Sequence, residues 1–157
     1  MSRTQKIIIA DTSCIILLHK INEFDLLRKL FGKIFVTSEI CREFGSALPD
    51  WVNLKDPVNI SAQKVLLASV DQGEASAIAL ALEEVDPLLI LDDKKARRLA
   101  SSLNLKITGS LGILVEAKIE GYLTDIHAVI QKIKKTDFHL SDELELKMIE
   151  LSEIRPE

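Results

Sequence analysis

Residues 88–93 read LLILDD, an unbroken apolar run that stops at two adjacent aspartates. A run of four branched aliphatics after Pro87 reads as a strand buried on both faces. Its abrupt acidic end fixes where that strand stops. The same signature opens the chain, where residues 6–11 read KIIIAD. A third short run, KIFV at 33–36, precedes Thr37 and Ser38, residues suited to cap a helix. Between these runs the apolar spacing turns helical. The expected helices cover 14–20, 23–31, a segment from 37 or 38 to 44, 61–70, 74–84, 94–103, 111–120, 124–135 and 141–152, with a further strand at 105–107. Gly32 and Gly45 act as stops, and Gly73 is read as the separator before the alanine-rich helix. Residues 46–57 read as a loop, with 51–54 as a short extended segment.

Strands that alternate with helices imply right-handed βαβ crossovers and a central, mostly parallel sheet covered on both faces. The expected fold is therefore a three-layer α/β/α domain. A chain of 157 residues, 47% hydrophobic, supports one such core but not two, so a single domain over 1–157 is expected, with the helices of 124–152 packed on it. The N-terminal apolar run is too short for a membrane span, and Cys14 and Cys41 lack CxxC spacing, so a cytoplasmic protein is expected. A net charge of −4 excludes a globally basic nucleic-acid binder, leaving local patches or bound cations to carry any such contact.

In parallel sheets the working site lies beyond the carboxyl ends of the strands. Asp11, Asp92 and Asp93 all stand there. A lone aspartate at a strand end is ordinarily a turn or cap residue, but two strands ending alike make that reading strained. Adjacent carboxylates about 4 Å apart repel by roughly 1 to 4 kcal/mol, which a divalent cation removes. Oxygen-only sites suit Mg²⁺ or Mn²⁺. Glu43 and Glu74 can complete the set, although an acid in a first helical turn is favoured by the helix dipole anyway. Glu39 reads as solvated. His19, His127 and His139 have no ligand spacing and read as surface residues. Lys94, Lys95, Arg97 and Arg98 follow the aspartates, where they can hold phosphates, and the backbone and hydroxyls of Thr108 and Ser110 can meet an anion at a helix start. With aromatics at 4%, no stacking platform for bases is expected. Trp51 is isolated and reads as a cover for the core or an oligomer contact, and the apolar segment 14–31 is the expected face of a homodimer.

The ordered set ADTS (10–13), KIFVTSEICREF (33–44), QGEASAIALALEE (72–84), LILDDKKARRLA (89–100) and TGSLG (108–112) resembles the PIN-domain family, over about residues 6–120. Within it, the chain is similar to short prokaryotic PIN proteins. The resemblance implies a metal-dependent ribonuclease and, as for many of these, the toxin of a toxin–antitoxin pair with a small antitoxin partner. It implies that Asp11 is the first acid, Glu43 the helix acid, Glu74 the third acid (commonly Asp in the family) and Asp93, beside Asp92, the acid after the later strand. Lys95 and Ala96 stand where the family usually has a further acid. Two other readings compete: a catalytically weak binding module of the same fold, and a phosphatase or receiver-like domain using Asp11, for which ADTS lacks a second acid in a DxD-type loop.

Overall fold

The first strand, β1 (Ile7–Ala10), becomes the middle of the sheet because it is apolar on both faces. The computed structural model describes residues 6–153; residues 1–5 and 154–157 of the expected domain lie outside the described residues. The chain runs from β1 through α1 (Thr12–Lys20) and α2 (Asp25–Phe31) to β2 (Ile34–Val36). It continues through α3 (Ser38–Phe44) to β3 (Val52–Leu54), then α4 (Ile60–Leu66) and α5 (Gln72–Glu83). The second half holds β4 (Pro87–Ile90), α6 (Lys94–Ser102), β5 (Lys106–Thr108), α7 (Ser110–Ile119), α8 (Ile126–Lys134) and α9 (Asp142–Ser152). The five strands are parallel in the order β3-β2-β1-β4-β5, flanked by helices in a three-layer α/β/α arrangement.

That order reverses at β1 and β4. From β1 the chain builds outward to β2 and β3, then returns to lay β4 on the other side of β1. The pairing is in register from Ile7 opposite Pro87 to Ala10 opposite Ile90. One further bond, Asp11 N–H to the Ile90 carbonyl at 3.1 Å, carries the pairing into the acidic residues. Such a reversal opens a crevice at the strand ends.

Burial explains the register. Ile9, Leu89, Ile90 and Leu91 are wholly buried, as are Ile78 and Leu80 of α5, which packs on β4 and β1. Along α8, Ile126, Val129, Ile130 and Ile133 recur at helical spacing and are all buried. Segment 14–31 is two helices, broken where Asn22 takes a left-handed φ of 58°. Its apolar side chains Cys14, Ile15, Leu17, Leu18, Leu26 and Leu27 face this chain's own core, Leu30 and Phe31 are half-buried, and Ile16 is exposed. Most of the expected dimer face is therefore taken up by internal packing. Trp51 likewise packs on Phe24, with ring centroids 4.9 Å apart.

Several boundaries shift by one or two residues, as at the starts of α1, α2 and α8, and two differences have a clear local cause. Helix α4 ends at Leu66, its one buried residue, and tight turns replace its expected last turn. Gly73 lies inside α5, because the Asp71 side chain caps that helix two residues earlier.

Removing most of the Ile9 side chain at the sheet centre leaves a cavity that the flanking strands cannot collapse. Ile9→Ala is expected to lower the unfolding free energy by about 2–5 kcal/mol in urea titrations. Val85→Ala, at an 87%-exposed position, is expected to stay within about 0.5 kcal/mol.

Candidate metal centre

Six acids line one cleft of about 420 Å³ at the carboxyl ends of β1 and β4: Asp11, Glu43, Asp71, Glu74, Asp92 and Asp93, with Thr12, Ser13 and Ile16 completing the wall. They arrive by four routes, the end of β1, the last turn of α3, the start of α5 and the end of β4. Asp11 directly follows β1 and stands at the N-cap position of α1, yet its side chain makes no capping bond. It is 95% buried by its 5% exposure and faces the cleft. Burial pushes its carboxyl up to about 7; the neighbouring charges of Glu74, Asp71 and Glu43 add to this, and the Thr12 amide opposes it.

Glu74 occupies the third position of α5 in a reciprocal capping box. Its Oε1 accepts the Asp71 N–H at 3.2 Å, while Asp71 Oδ1 accepts the Glu74 N–H at 2.8 Å. Burial again is the main cause of its rise to about 7, with Asp71 and Asp93 contributing charge against the Asp71 amide bond. Glu43, in the last turn of α3, accepts a bond from Thr12 Oγ1 at 3.2 Å. Partial burial, then Asp71, raises its carboxyl. Asp71 was not among the residues expected here. The D-x-x-E spacing of a capping box was the available signal, since a cap for α5 must sit beside Glu74.

The doubled aspartate divides its duties. Asp93 caps α6, its Oδ2 accepting the Ala96 N–H at 2.9 Å, and it is otherwise exposed to the cleft. Asp92 is gripped at both oxygens. Oδ1 accepts the Ser110 N–H at 2.8 Å, and Oδ2 accepts Ser110 Oγ at 2.5 Å and Ser13 Oγ at 3.4 Å. Asp92 thus braces β4 against the start of α7, and its oxygens are the more engaged of the pair. This corrects the expectation for Ser110, which is fully buried with amide and hydroxyl both directed to Asp92. The anion seat at that helix start is filled from within the chain.

The basic residues also separate. Lys94, Lys95 and Arg98 are exposed, whereas Arg97 is half-buried and donates from Nη1 to the Leu91 carbonyl at 2.8 Å. Lys94, Arg97 and Arg98 border a second, open groove of about 610 Å³ with Ser101 and Ile107. Thr108 is half-buried, and its carbonyl accepts the Leu91 N–H. Glu39 pairs with Arg42, and the exposed His19 ring stacks on Phe24. Cys14 is buried and Cys41 half-buried, and neither is in a disulfide.

Oxygen donors alone, crowded and partly desolvated, fit a hard divalent cation. The space over Gly73 that a Cβ would occupy holds the Glu43 carboxylate, with Asp11 Oδ1 beside it. Among the described residues no three acids, histidines or cysteines stand close enough together to clasp an ion.

The raised carboxyls give a pH dependence of defined sign. Asp11 and Glu74 have folded-state values near 7 against ordinary values of 3.8 and 4.5. Their contribution to stability is complete below the ordinary values and is lost as pH rises through about 7. In chelator, wild-type protein is expected to melt lower at about pH 8 than at about pH 5, and Asp11→Asn to flatten that slope. Parallel curves for the two proteins would show that Asp11 is not a source of the strain.

No curated protein matches the chain. The sequence model of a family described as DUF3368: PIN domain matches residues 7–153, nearly the whole of what has been described. Domains of this kind have a nuclease-type fold and typically use divalent metal ions. That match spans both strands that flank the cleft and every acid around it, and the chain belongs to the PIN-domain family.

Proposed function

We propose that this chain is a metal-dependent endoribonuclease that cuts single-stranded RNA, and the toxin of a toxin–antitoxin pair. The observation that carries the nuclease reading is the burial of Asp11 beside Glu74 and Glu43 at the β1–β4 crevice, an arrangement costly without a cation. Asp11, Glu43, Glu74 and Asp93 are the proposed ligands of Mg²⁺ or Mn²⁺, with Asp92 supporting them through Ser110. A divalent ion bound there supplies an acidified water and positive charge for the phosphate oxygens.

The chain's own residues do the rest. Asp11 keeps its carboxylate fixed at the end of a central strand, so its position does not depend on a mobile loop. Asp93 gives one oxygen to the α6 amide and leaves the other for the cleft. Lys94, Lys95 and Arg98 project beside it and attract the phosphodiester backbone without reading bases. Arg97 supports them by holding the Leu91 carbonyl. Products with 5′-phosphate and 3′-hydroxyl ends are expected from attack by water.

The partners that complete this reading are a small antitoxin protein and a second copy of the chain, in the cytoplasm. Free thiols accord with that location. The homodimer is proposed to use a face other than α1 and α2, most of whose apolar side chains are buried inside. The competing reading, a binding module, is favoured by Lys95 and Ala96 at positions where a further acid is usual.

Asp93→Asn separates the two. Asparagine caps a helix as well as aspartate does, so α6 and the fold are expected to survive. Cleavage of single-stranded RNA with Mn²⁺ is expected to fall at least ~100-fold, ~2.7 kcal/mol of barrier. Equal cleavage by wild type and Asp93→Asn would assign the activity to a contaminant. No cleavage by purified wild type, freed of any antitoxin, would leave the binding module.

The basic helix makes a second test. Lys94→Ala, Lys95→Ala and Arg98→Ala are each expected to weaken RNA binding and lower the salt slope by about 0.7 for each lost contact. Arg97→Ala is expected to lower the melting temperature as well, because the Leu91 carbonyl loses its donor. Unchanged slopes in all four variants would make the run a solvated face.

A further inference from the structure

Gly73 is a glycine with no conformational reason to be one. It lies in the first turn of α5, capped by Asp71, and its φ is not in the left-handed region. Alanine would serve that helix at least as well, since glycine is the poorer helix former. Nor does the backbone of a neighbouring element crowd it. The three nearest atoms that a Cβ at 73 would meet belong to carboxylate groups: Glu43 Oε1, which it would overlap, Glu43 Cδ at 3.0 Å and Asp11 Oδ1 at 3.5 Å.

The helix carrying Glu43 is itself fixed relative to this turn. Ser76 Oγ donates to the Gly73 carbonyl at 2.8 Å and shares a 2.6 Å bond with Thr37 Oγ1, the cap of α3. Thr37 and Ser76 are buried, so α3 and α5 are joined at this point. The Glu43 side chain then reaches back over Gly73, where Thr12 Oγ1 meets it. With both helices pinned, the room left by the missing side chain decides whether Glu43 lies beside Asp11.

We propose that Gly73 is a positioning residue for the metal centre: its lack of a side chain is the seat that holds the Glu43 carboxylate next to Asp11. This rests on the metal-binding reading of the cleft. A Cβ at 73 displaces the flexible end of Glu43 rather than any backbone, so the fold is retained while the two carboxylates are parted. Gly73 touches no substrate and acts only through Glu43.

The test is a double-mutant cycle on Mn²⁺ affinity, measured by calorimetry on the full chain, with metal-free melting recorded in parallel. Gly73→Ala is expected to weaken Mn²⁺ binding about 10- to 100-fold, the range seen when a ligand's support is removed. It is expected to melt at or above the wild-type temperature in chelator. In a Glu43→Gln background, Gly73→Ala is expected to change Mn²⁺ affinity less than about twofold, because the residue it acts through is already disabled. Wild-type affinity in Gly73→Ala overturns the proposal while leaving the metal centre intact. An equal loss in both backgrounds also overturns it, since Gly73 would then act through the backbone. Failure of wild type itself to bind Mn²⁺ overturns the metal reading and this inference with it.

Discussion

Parallel pairing of β1 with β4 is the constraint from which the site follows. These strands lie 80 positions apart when Ile7 is set against Pro87, yet their register runs without a slip to Ala10 and Ile90. Apolar on both faces, these strands are not aligned by alternation alone; the specific packing of Ile8, Ile9, Leu89 and Ile90 against the helices on each side, together with the Asp11 N–H to Ile90 carbonyl bond, holds the alignment. Because acid follows both strands within one residue of the same level, Asp11 beside Leu91 and Asp92 just beyond it, the aligned core delivers charge to one rim. The molecule cannot bury its apolar centre without also gathering its carboxylates.

Gathering them is unfavourable, and the chain offsets part of the cost with helix starts. Asp71 and Glu74 cap α5, Asp93 caps α6, and the Thr12 amide at the head of α1 lowers the Asp11 carboxyl against the effect of burial. Asp92 finds both a hydroxyl and an amide at α7. Four helix N-termini therefore point toward one cleft. Their partial positive charge moderates the repulsion, but burial is the larger cause, and it leaves Asp11 and Glu74 raised to about 7.

What could be read in the sequence was whatever a single segment determines. LLILDD and KIIIAD disclose their strands and the acids beyond them, because an all-apolar strand has one environment open to it. Glu43 and Glu74 were legible as acids on helices, and the family resemblance ordered them. Segment 14–31 shows the limit: its apolar face is plain, but whether it meets the sheet or another molecule depends on packing that no local pattern carries. Gly73 was misread for the same reason. A glycine before an alanine-rich run resembles a boundary, and only the approach of Glu43 from α3, 30 residues away, shows that it leaves room for a side chain. Ser110 looked like an open anion seat because its occupant, Asp92, lies on a different element.

The clamp at the end of β4 bears on how this sequence can change over generations. A Cβ on Gly109 would sit 2.9 Å from Arg97 Nη1 and 3.0 Å from Asp92 Oδ1, while Arg97 holds Leu91 and Asp92 holds Ser110. Residues 92, 97, 109 and 110 therefore form one unit, in which a change at any member disturbs the others, whereas exposed Lys94 and Lys95 between them take no part in these contacts.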